Sequence, residues 1–121
     1  MDFTCRVIKK KIIFTGGSGR FGSLLKNKEN NFKVYFPNRK ELNVESITSI
    51  KKYIKKIKPD IIVHMAALSR PMEIHEKNIN KSINLNIIGT ANITNICSLN
   101  NIKLIYFSTC YVYPGTKGNY K

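Results

Sequence analysis

Residues 11–22, KIIFTGGSGRFG, decide the fold class, because an apolar run leads directly into a glycine-rich turn. The β-branched and aromatic run Lys11–Thr15 predicts a buried strand, and a helix is expected to open at Arg20. Glycines are needed in such a turn because a side chain would keep the backbone away from a pyrophosphate, which the free amides at a helix N-terminus bind. The turn satisfies two patterns, GxxGxxG through Gly16, Gly19 and Gly22 and GxGxxG through Gly17, Gly19 and Gly22. It indicates a dinucleotide site, although a plain tight turn would also explain these glycines by themselves.

Strands and helices alternate along the rest of the chain. Further strands are predicted at Lys33–Phe36, Asp60–Met65 and Lys103–Ser108, with a brief edge strand at Glu41–Val44. Helices are predicted from Arg20 to about Lys28, from the N-cap Ser46 to Lys58 before Pro59, and from about Ile79 to Asn100. Strands that are apolar on both faces predict an α/β fold with a doubly wound parallel sheet. The Lys11 strand is expected in the middle, with the Lys33 strand on one side and the Asp60 and Lys103 strands on the other.

The composition is that of an ordinary globular protein with a strong excess of positive charge. A hydrophobic content of 42% excludes the disordered class, and 121 residues suffice for one domain, expected to span 1–121. The net charge of +14 raises the hypothesis of a basic nucleic-acid binder, which the salt dependence of DNA binding would test. Between residues 47 and 58, however, lysines and isoleucines interleave at helical spacing, so the lysines are interpreted as a solvated helix face. No specific nucleic-acid partner is therefore expected.

The cysteines and the hydropathy pattern suggest a reduced, cytoplasmic setting. Cys5, Cys97 and Cys110 have no paired spacing, so neither a zinc site nor a disulfide framework is indicated, and no metal is expected. No apolar run is long enough for a signal peptide or a membrane span. We expect no membrane partner.

Four ordered motifs carry a resemblance to a known family. They are TGGSGRFG at 15–22, HMAA at 64–67, NIIGT at 86–90 and STCYVYPG at 108–115. Their order and spacing resemble those of the extended short-chain dehydrogenases/reductases, and above all the dTDP-4-dehydrorhamnose reductase-like, sugar-nucleotide-binding branch. The resemblance implies a Rossmann-type NAD(P)-binding fold and an oxidoreductase of dTDP-rhamnose biosynthesis, which reduces a 4-keto nucleotide sugar with NADP(H).

The resemblance also assigns roles to individual residues. The cofactor-binding turn is expected to comprise Gly16, Gly17, Ser18, Gly19, Arg20, Phe21 and Gly22. Ala66 and Ala67 would form the floor beside the adenosine and ribose. Thr109 falls on the catalytic Ser/Thr position, where its hydroxyl would polarise a substrate carbonyl; the alternative is a threonine that caps a strand end. Asn86 would be structural, and His64 is interpreted as a satisfied core residue.

The residues after the second strand bear on the choice of cofactor. An acidic residue about 20 positions after the first glycine would bind the ribose diol of NAD. The chain has Asn38, Arg39 and Lys40 there instead, and the positive charges of Arg39 and Lys40, together with Arg20, could face a 2′-phosphate. We therefore favour NADP(H) over NAD(H).

The chain also departs from the family pattern. Cys110 stands where the branch usually has an aspartate, and Asn43 replaces a commonly acidic residue. The family's Tyr-x-x-x-Lys pair is expected beyond Lys121, together with the sugar-binding region, so the chain is expected to be inactive alone. Tyr113 and Lys117 have the required spacing, but Pro114 and Gly115 lie between them, so the match is interpreted as coincidence.

Several functions stay open at this point. The same fold serves nucleotide-sugar epimerases and dehydratases, and a non-catalytic dinucleotide-binding module would not need the Tyr-x-x-x-Lys pair. The expected partner is a nucleotide-sugar substrate, and the sequence is compatible with a homodimer.

Overall fold

A four-stranded parallel sheet is the centre of the computed structural model, which describes residues 9–26, 31–109, 116 and 118. Its strands are β1 Lys11–Thr15, β2 Lys33–Tyr35, β3 Ile61–His64 and β4 Lys103–Tyr106, in the order β2-β1-β3-β4. Ile12 of β1 pairs with Val34 of β2 and with Ile61 of β3. All three pairings are parallel, so the predicted strand order is confirmed.

The helices connect the strands. They are α1 Arg20–Lys26, α2 Ile47–Ile57, α3 Glu73–Lys77, α4 Ile79–Ser82 and α5 Gly89–Leu99, and a π-helical segment at Ile83–Ile88 joins α4 to α5. The Oγ of Ser46 accepts the Ser49 N–H at 3.3 Å, which confirms the predicted N-cap of α2. Among the described residues, no helix has the length and apolar character that a bilayer span requires.

The core lies between the sheet and the pair α2 and α5. Each element contributes fully buried isoleucines: Ile13 and Ile62 from the sheet, Ile50 from α2, and Ile93 and Ile96 from α5. The lysines of α2 at positions 51, 52, 55 and 56 are exposed. The amphipathic interpretation of this helix is therefore confirmed, except that Ile47 at its first turn is 43% exposed.

The predicted edge strand was wrong. Glu41–Val44 is not a strand, because the Asn38 Oδ1 accepts the N–H groups of Lys40 and Glu41 and bends the chain into a turn. Leu42 and Val44 then enter the core as part of a loop, at 5% and 3% exposure.

The helical region predicted from about Ile79 to Asn100 is confirmed, and within it the π-helical segment separates α4 from α5. At its end the Gly89 N–H bonds back to the Asn84 carbonyl, five residues earlier. Such a wide turn shifts the helix face by one residue, and a count of apolar spacings does not detect this shift. The short helix α3 was not predicted either.

Candidate functional site

The glycine turn occupies the carboxyl end of β1, at the centre of the sheet. Gly16 has a φ of +77°, and a Cβ there would lie 3.0 Å from the carbonyl carbon and oxygen of Met65 and the nitrogen of Ala66. These three atoms form one peptide unit of the loop after β3. The Gly19 N–H closes the turn with a bond of 2.9 Å to the Gly16 carbonyl. Only glycine satisfies both the backbone angle and the close approach.

Gly17 and Gly22 have a different role from the glycines at the surface of the turn. A Cβ on Gly22 would lie 2.5 Å from the Cα of Gly17, so α1 packs directly on the turn. Both residues are buried. They allow the turn and helix to pack together, and they do not contact the space in front of the turn.

A cavity of about 620 Å³ opens in front of the turn. It brings together most of the predicted cofactor-binding residues: Gly16, Ser18, Gly19, Arg20, Phe21, Arg39, Ala66 and Ala67. Other residues complete the wall: Thr15 and Met65 from the motifs, and Pro37, Leu42, Asn43, Val44, Ser69, Arg70 and Leu85 from outside them. Gly17, Gly22, Asn38 and Thr109 are not among the lining residues.

The cavity wall is cationic. Arg20, Arg39 and Arg70 line it, and no aspartate or glutamate is among the described lining residues. Arg39 pairs with the carboxylate of Glu45. Over the described residues, the remaining ion pair joins Lys77 and Glu73, so neither Arg20 nor Arg70 has an acidic partner there. The cavity therefore favours an anionic ligand, because its charge would meet guanidinium groups that can donate forked hydrogen bonds.

Asn38 serves its own loop. Its side-chain oxygen accepts the N–H groups of Lys40 and Glu41, and its backbone N–H donates to the Glu41 carboxylate at 2.8 Å. This places Arg39 at the cavity rim and leaves Asn38 beside it. Of the three residues predicted there to face the cofactor, Asn38, Arg39 and Lys40, the structure thus brings Arg39 alone to the cavity.

The floor of the cavity rests on a buried hydrogen-bond network around His64, which is 0% exposed. Its Nδ1 lies 2.7 Å from the Thr15 Oγ1, and its Nε2 lies 3.1 Å from the Thr90 Oγ1. Burial lowers the pKa of His64 to about 4, so the ring is neutral at pH 7. The interpretation of His64 as a satisfied core residue is confirmed.

Asn86 ties the loop after the floor to the π-helical segment. Its Oδ1 accepts the Leu68 N–H at 2.7 Å and its Nδ2 donates to the Leu68 carbonyl at 3.0 Å. Both bonds go to the backbone of one residue, which fixes the course of the loop next to Ala66 and Ala67. The structural role expected for Asn86 agrees with these contacts.

Thr109 lies three residues beyond β4 and is exposed. Because the four strands are parallel, Thr109 lies beyond the carboxyl edge of the sheet, as the glycine turn does. Cys110, Tyr113 and Lys117 lie outside the described residues. Within those residues, no three His, Cys, Asp or Glu side chains are grouped as a metal ion would require.

Comparison with known proteins identifies the family. The family model for the RmlD substrate binding domain matches residues 10–121. A GDP-6-deoxy-D-talose 4-dehydrogenase from Aggregatibacter actinomycetemcomitans is 36% identical over 111 residues, which are 85% of this chain and 36% of that protein. The methionine adenosyltransferase 2 subunit beta of Xenopus laevis is 29% identical over 95% of this chain and 37% of its own length.

A solved structure agrees with the fold. The dTDP-4-dehydrorhamnose reductase of Bacillus anthracis, in complex with NADP, superposes with a TM-score of 0.84 at 30% identity. The superposition covers 91% of this chain and 40% of that one, so the chain spans less than half the length of these relatives. The sheet order, the glycine turn and these matches together show that the chain has a Rossmann-like fold and belongs to the RmlD substrate-binding-domain family.

Proposed function

We propose that residues 1–121 form the NAD(P)-binding domain of an NADP(H)-dependent reductase that acts on a 4-keto nucleotide sugar. The observation that carries the proposal is the cavity at the glycine turn, lined by three arginines and, among the described residues, by no carboxylate. A dinucleotide with a pyrophosphate matches both its shape and its charge. The similarity to a dTDP-4-dehydrorhamnose reductase in complex with NADP supports the same assignment.

The cavity offers a distinct surface to each part of a dinucleotide. Ser18 and Arg20, both exposed at the turn, would bind the pyrophosphate, whereas the Gly19 N–H is already bonded to the Gly16 carbonyl. Small side chains at Ala66 and Ala67 leave room for a flat ring system on the floor. Arg39, in the loop after β2, would contact the adenosine ribose and its 2′-phosphate.

Preference for NADP(H) over NAD(H) is part of the proposal. Arg39 lines the cavity where NAD-binding members of this fold class carry an acidic residue. Its pairing with Glu45 holds the guanidinium at the rim, and a 2′-phosphate would have to compete with that carboxylate. The preference is therefore expected to be moderate.

Thr109 is proposed to contact the substrate. The bound cofactor supplies the hydride, and the Thr109 hydroxyl would donate a hydrogen bond to the C4 carbonyl oxygen and polarise it. Reduction also needs a proton donor near that oxygen, and a positioned acid contributes roughly 10²- to 10⁴-fold. We place that donor in a Tyr-x-x-x-Lys pair outside these 121 residues, so the chain alone should bind dinucleotide without turnover.

Two measurements test the proposed function. Fluorescence titration of the 121-residue chain should show saturable NADPH binding, and NADPH oxidation with a dTDP-4-keto sugar should stay at background. A longer protein that carries these residues and the missing pair should oxidise one NADPH per sugar reduced. An epimerase or dehydratase would instead convert its sugar with no net NADPH consumption. Absence of NADPH binding would refute the proposal.

A non-catalytic dinucleotide-binding subunit is the second candidate. The specific observation in its favour is the similarity to a methionine adenosyltransferase 2 subunit beta over 95% of this chain. Under this candidate NADPH binds but no keto sugar is reduced, even by the longer protein. A homodimer stays a prediction, which the sedimentation mass of the chain would test.

A further inference from the structure

We propose that His64 and Thr90, which do not line the cavity, are positioning residues that set the cavity floor through Thr15. The inference rests on the proposed dinucleotide site and adds to it two residues that the ligand never touches. It follows from the direction of each hydrogen bond in the network and from the contact of the network with the glycine turn.

The donors of the network fix its direction. The Met65 and Ala66 N–H groups both donate to the Thr15 Oγ1, at 3.1 and 3.2 Å. The Thr15 hydroxyl proton is then directed to the Nδ1 of His64, 2.7 Å away. His64 must therefore carry its own proton on Nε2, which donates to the Thr90 Oγ1 at 3.1 Å. The Thr90 hydroxyl in turn donates to the Asn86 carbonyl at 2.8 Å.

The network ends on the peptide unit that supports the glycine turn. The Ala66 nitrogen held by Thr15 belongs to the same Met65–Ala66 peptide that lies 3.0 Å from a Cβ built on Gly16. A shift of this peptide by a few tenths of an ångström would move the surface against which Gly16 packs. The same shift would move Met65 and Ala66, which are part of the cavity wall. The position of the floor thus depends on Thr90, on the far side of His64.

Among the described residues the His64 ring has polar contacts with Thr15 of β1 and Thr90 of α5. The Tyr106 ring of β4 stacks on the imidazole, with 5.8 Å between the ring centroids. No charged side chain is among these contacts of His64. In the described part of the chain, every buried side-chain nitrogen and oxygen has a partner. Removal of the Thr90 hydroxyl would therefore leave the His64 Nε2–H unpaired or force the ring to move.

Thr90→Val is the test variant, and Thr94→Val is its matched control. Thr94 lies one turn further along α5 and also donates its hydroxyl to a carbonyl four residues earlier, that of Thr90, at 2.9 Å. Thr94 is exposed, and the hydrogen bonds of the His64 ring within the described residues go to Thr15 and Thr90 instead. The two variants thus lose the same kind of bond, and they differ in whether the network is broken. Thr90→Ser keeps the hydroxyl and should restore the wild-type behaviour.

The expected result is a drop of about tenfold in NADPH affinity for Thr90→Val, with Thr94→Val and Thr90→Ser within twofold of the wild type. The titrations are made at a temperature at which unfolding curves show each variant fully folded. Equal affinities for Thr90→Val and Thr94→Val would overturn the proposal.

Two further measurements need no ligand, so they separate this inference from the proposed function. ¹⁵N NMR of the histidine ring should show the Nε2–H tautomer of His64. Hydrogen exchange at the Met65 and Ala66 amides should be faster in Thr90→Val than in Thr94→Val. An Nδ1–H tautomer or unchanged exchange would refute the network, whereas failure of the wild type to bind NADPH would count against the proposed function alone.

Discussion

Arg39 is the residue on which the proposed cofactor preference depends. Its guanidinium lines the cavity and also pairs with the Glu45 carboxylate, while the Arg39 and Glu45 side chains are 65% and 20% exposed. An ion pair this exposed contributes at most about 1 kcal/mol, because water screens it. Arg39 is therefore available to a 2′-phosphate at a small cost.

Substitutions at this pair should change the affinity for NADPH and leave that for NADH unchanged. Arg39→Ala is expected to weaken NADPH binding by about tenfold, the loss of one charged contact. Glu45→Gln should strengthen it by roughly twofold to fivefold, since the competing carboxylate is removed. Titration of both cofactors measures the effect, with Lys40→Ala as the control next to the cavity. Equal loss of NADH affinity in Arg39→Ala would contradict the assignment.

His64 makes the stability of the fold depend on pH. Its pKa is about 4 in the folded chain and 6.5 in the unfolded chain, so between these values the unfolded state binds a proton that the folded state does not. The contribution of His64 to the free energy of unfolding is therefore constant above pH 6.5. As the pH drops from 6.5 toward 4, the free energy of unfolding falls by up to about 1.4 kcal/mol per pH unit.

Urea unfolding at several pH values between 4 and 7 measures this dependence. Carboxylates also contribute to the slope, so the part due to His64 is the difference between the wild type and His64→Asn. The variant is expected to show the shallower slope. Identical slopes would show that the histidine titrates alike in the folded and unfolded states.

The sequence predicted the glycine side of the site well and the opposite wall poorly. The turn follows from local rules, because the spacing of glycines after a strand restricts the backbone. Arg70 and Ser69 lie in a loop whose course is set at Leu68 by the Asn86 side chain, which is 18 residues beyond Leu68 in the chain. No local pattern reports such a contact. Asn38 was assigned to the ligand because its position is right, yet its side chain satisfies its own turn.

At the scale of elements, the first turn of α5 packs against the 42–44 loop. A Cβ on Gly89 would lie 2.8 Å from the Cγ2 of Val44, which is buried and lines the cavity. This close contact connects the helix that carries Thr90 with the loop that follows β2. The packing at Gly89 therefore determines how near α5 lies to the site.

A pair of substitutions should show this coupling. Gly89→Ala is expected to destabilise the fold by about 1–3 kcal/mol, the usual cost of overpacking, even though alanine favours a helix. Val44→Ala alone should cost about 2 kcal/mol through a cavity. The double variant should lose at least about 0.5 kcal/mol less than the two single losses added together, because the smaller side chain makes room for the methyl group. Additive losses in urea unfolding would show that the two elements are independent.

The sheet and α2 could be predicted because each has one dominant signal. The strands are short apolar runs that turn residues interrupt, and α2 has a capping serine, a 3.6-residue period and a proline after its end. The turn at 41–44 and the π-helical segment were not predicted. At 41–44 the Asn38 side chain accepts two backbone N–H groups and overrides the strand pattern. The spacing of apolar residues in 79–100 indicates a helix and does not reveal its π-helical turn.

At the scale of the whole molecule, β4 presents an apolar edge on a highly charged chain. Among the described strands it pairs with β3 alone, and Ile105 and Phe107 are 40% and 50% exposed. Unpaired strand edges promote association between chains. The net charge of +14 opposes association by mutual repulsion, which salt screens.

The 121-residue chain should therefore associate more as salt is added. Ile105→Lys is expected to reduce this association by placing a charge on the edge. Leu99→Lys is the matched control, because it removes a 73% exposed apolar residue of α5 and adds the same charge away from the edge. Light scattering at increasing NaCl concentration distinguishes the two. Equal effects would assign the association to general charge, and a decrease with salt would contradict the role of the edge.

The central position of β1 has a consequence for the timing of synthesis. Thr15 and its partner His64 are 49 residues apart in the chain, and the peptide that seats Gly16 follows His64 directly. At about 5–20 residues per second a ribosome needs roughly 2–10 s to add that segment. The glycine turn is therefore synthesised early, and the peptide that supports it follows only after this interval, so the proposed cofactor site cannot form before the ribosome has passed Ala66.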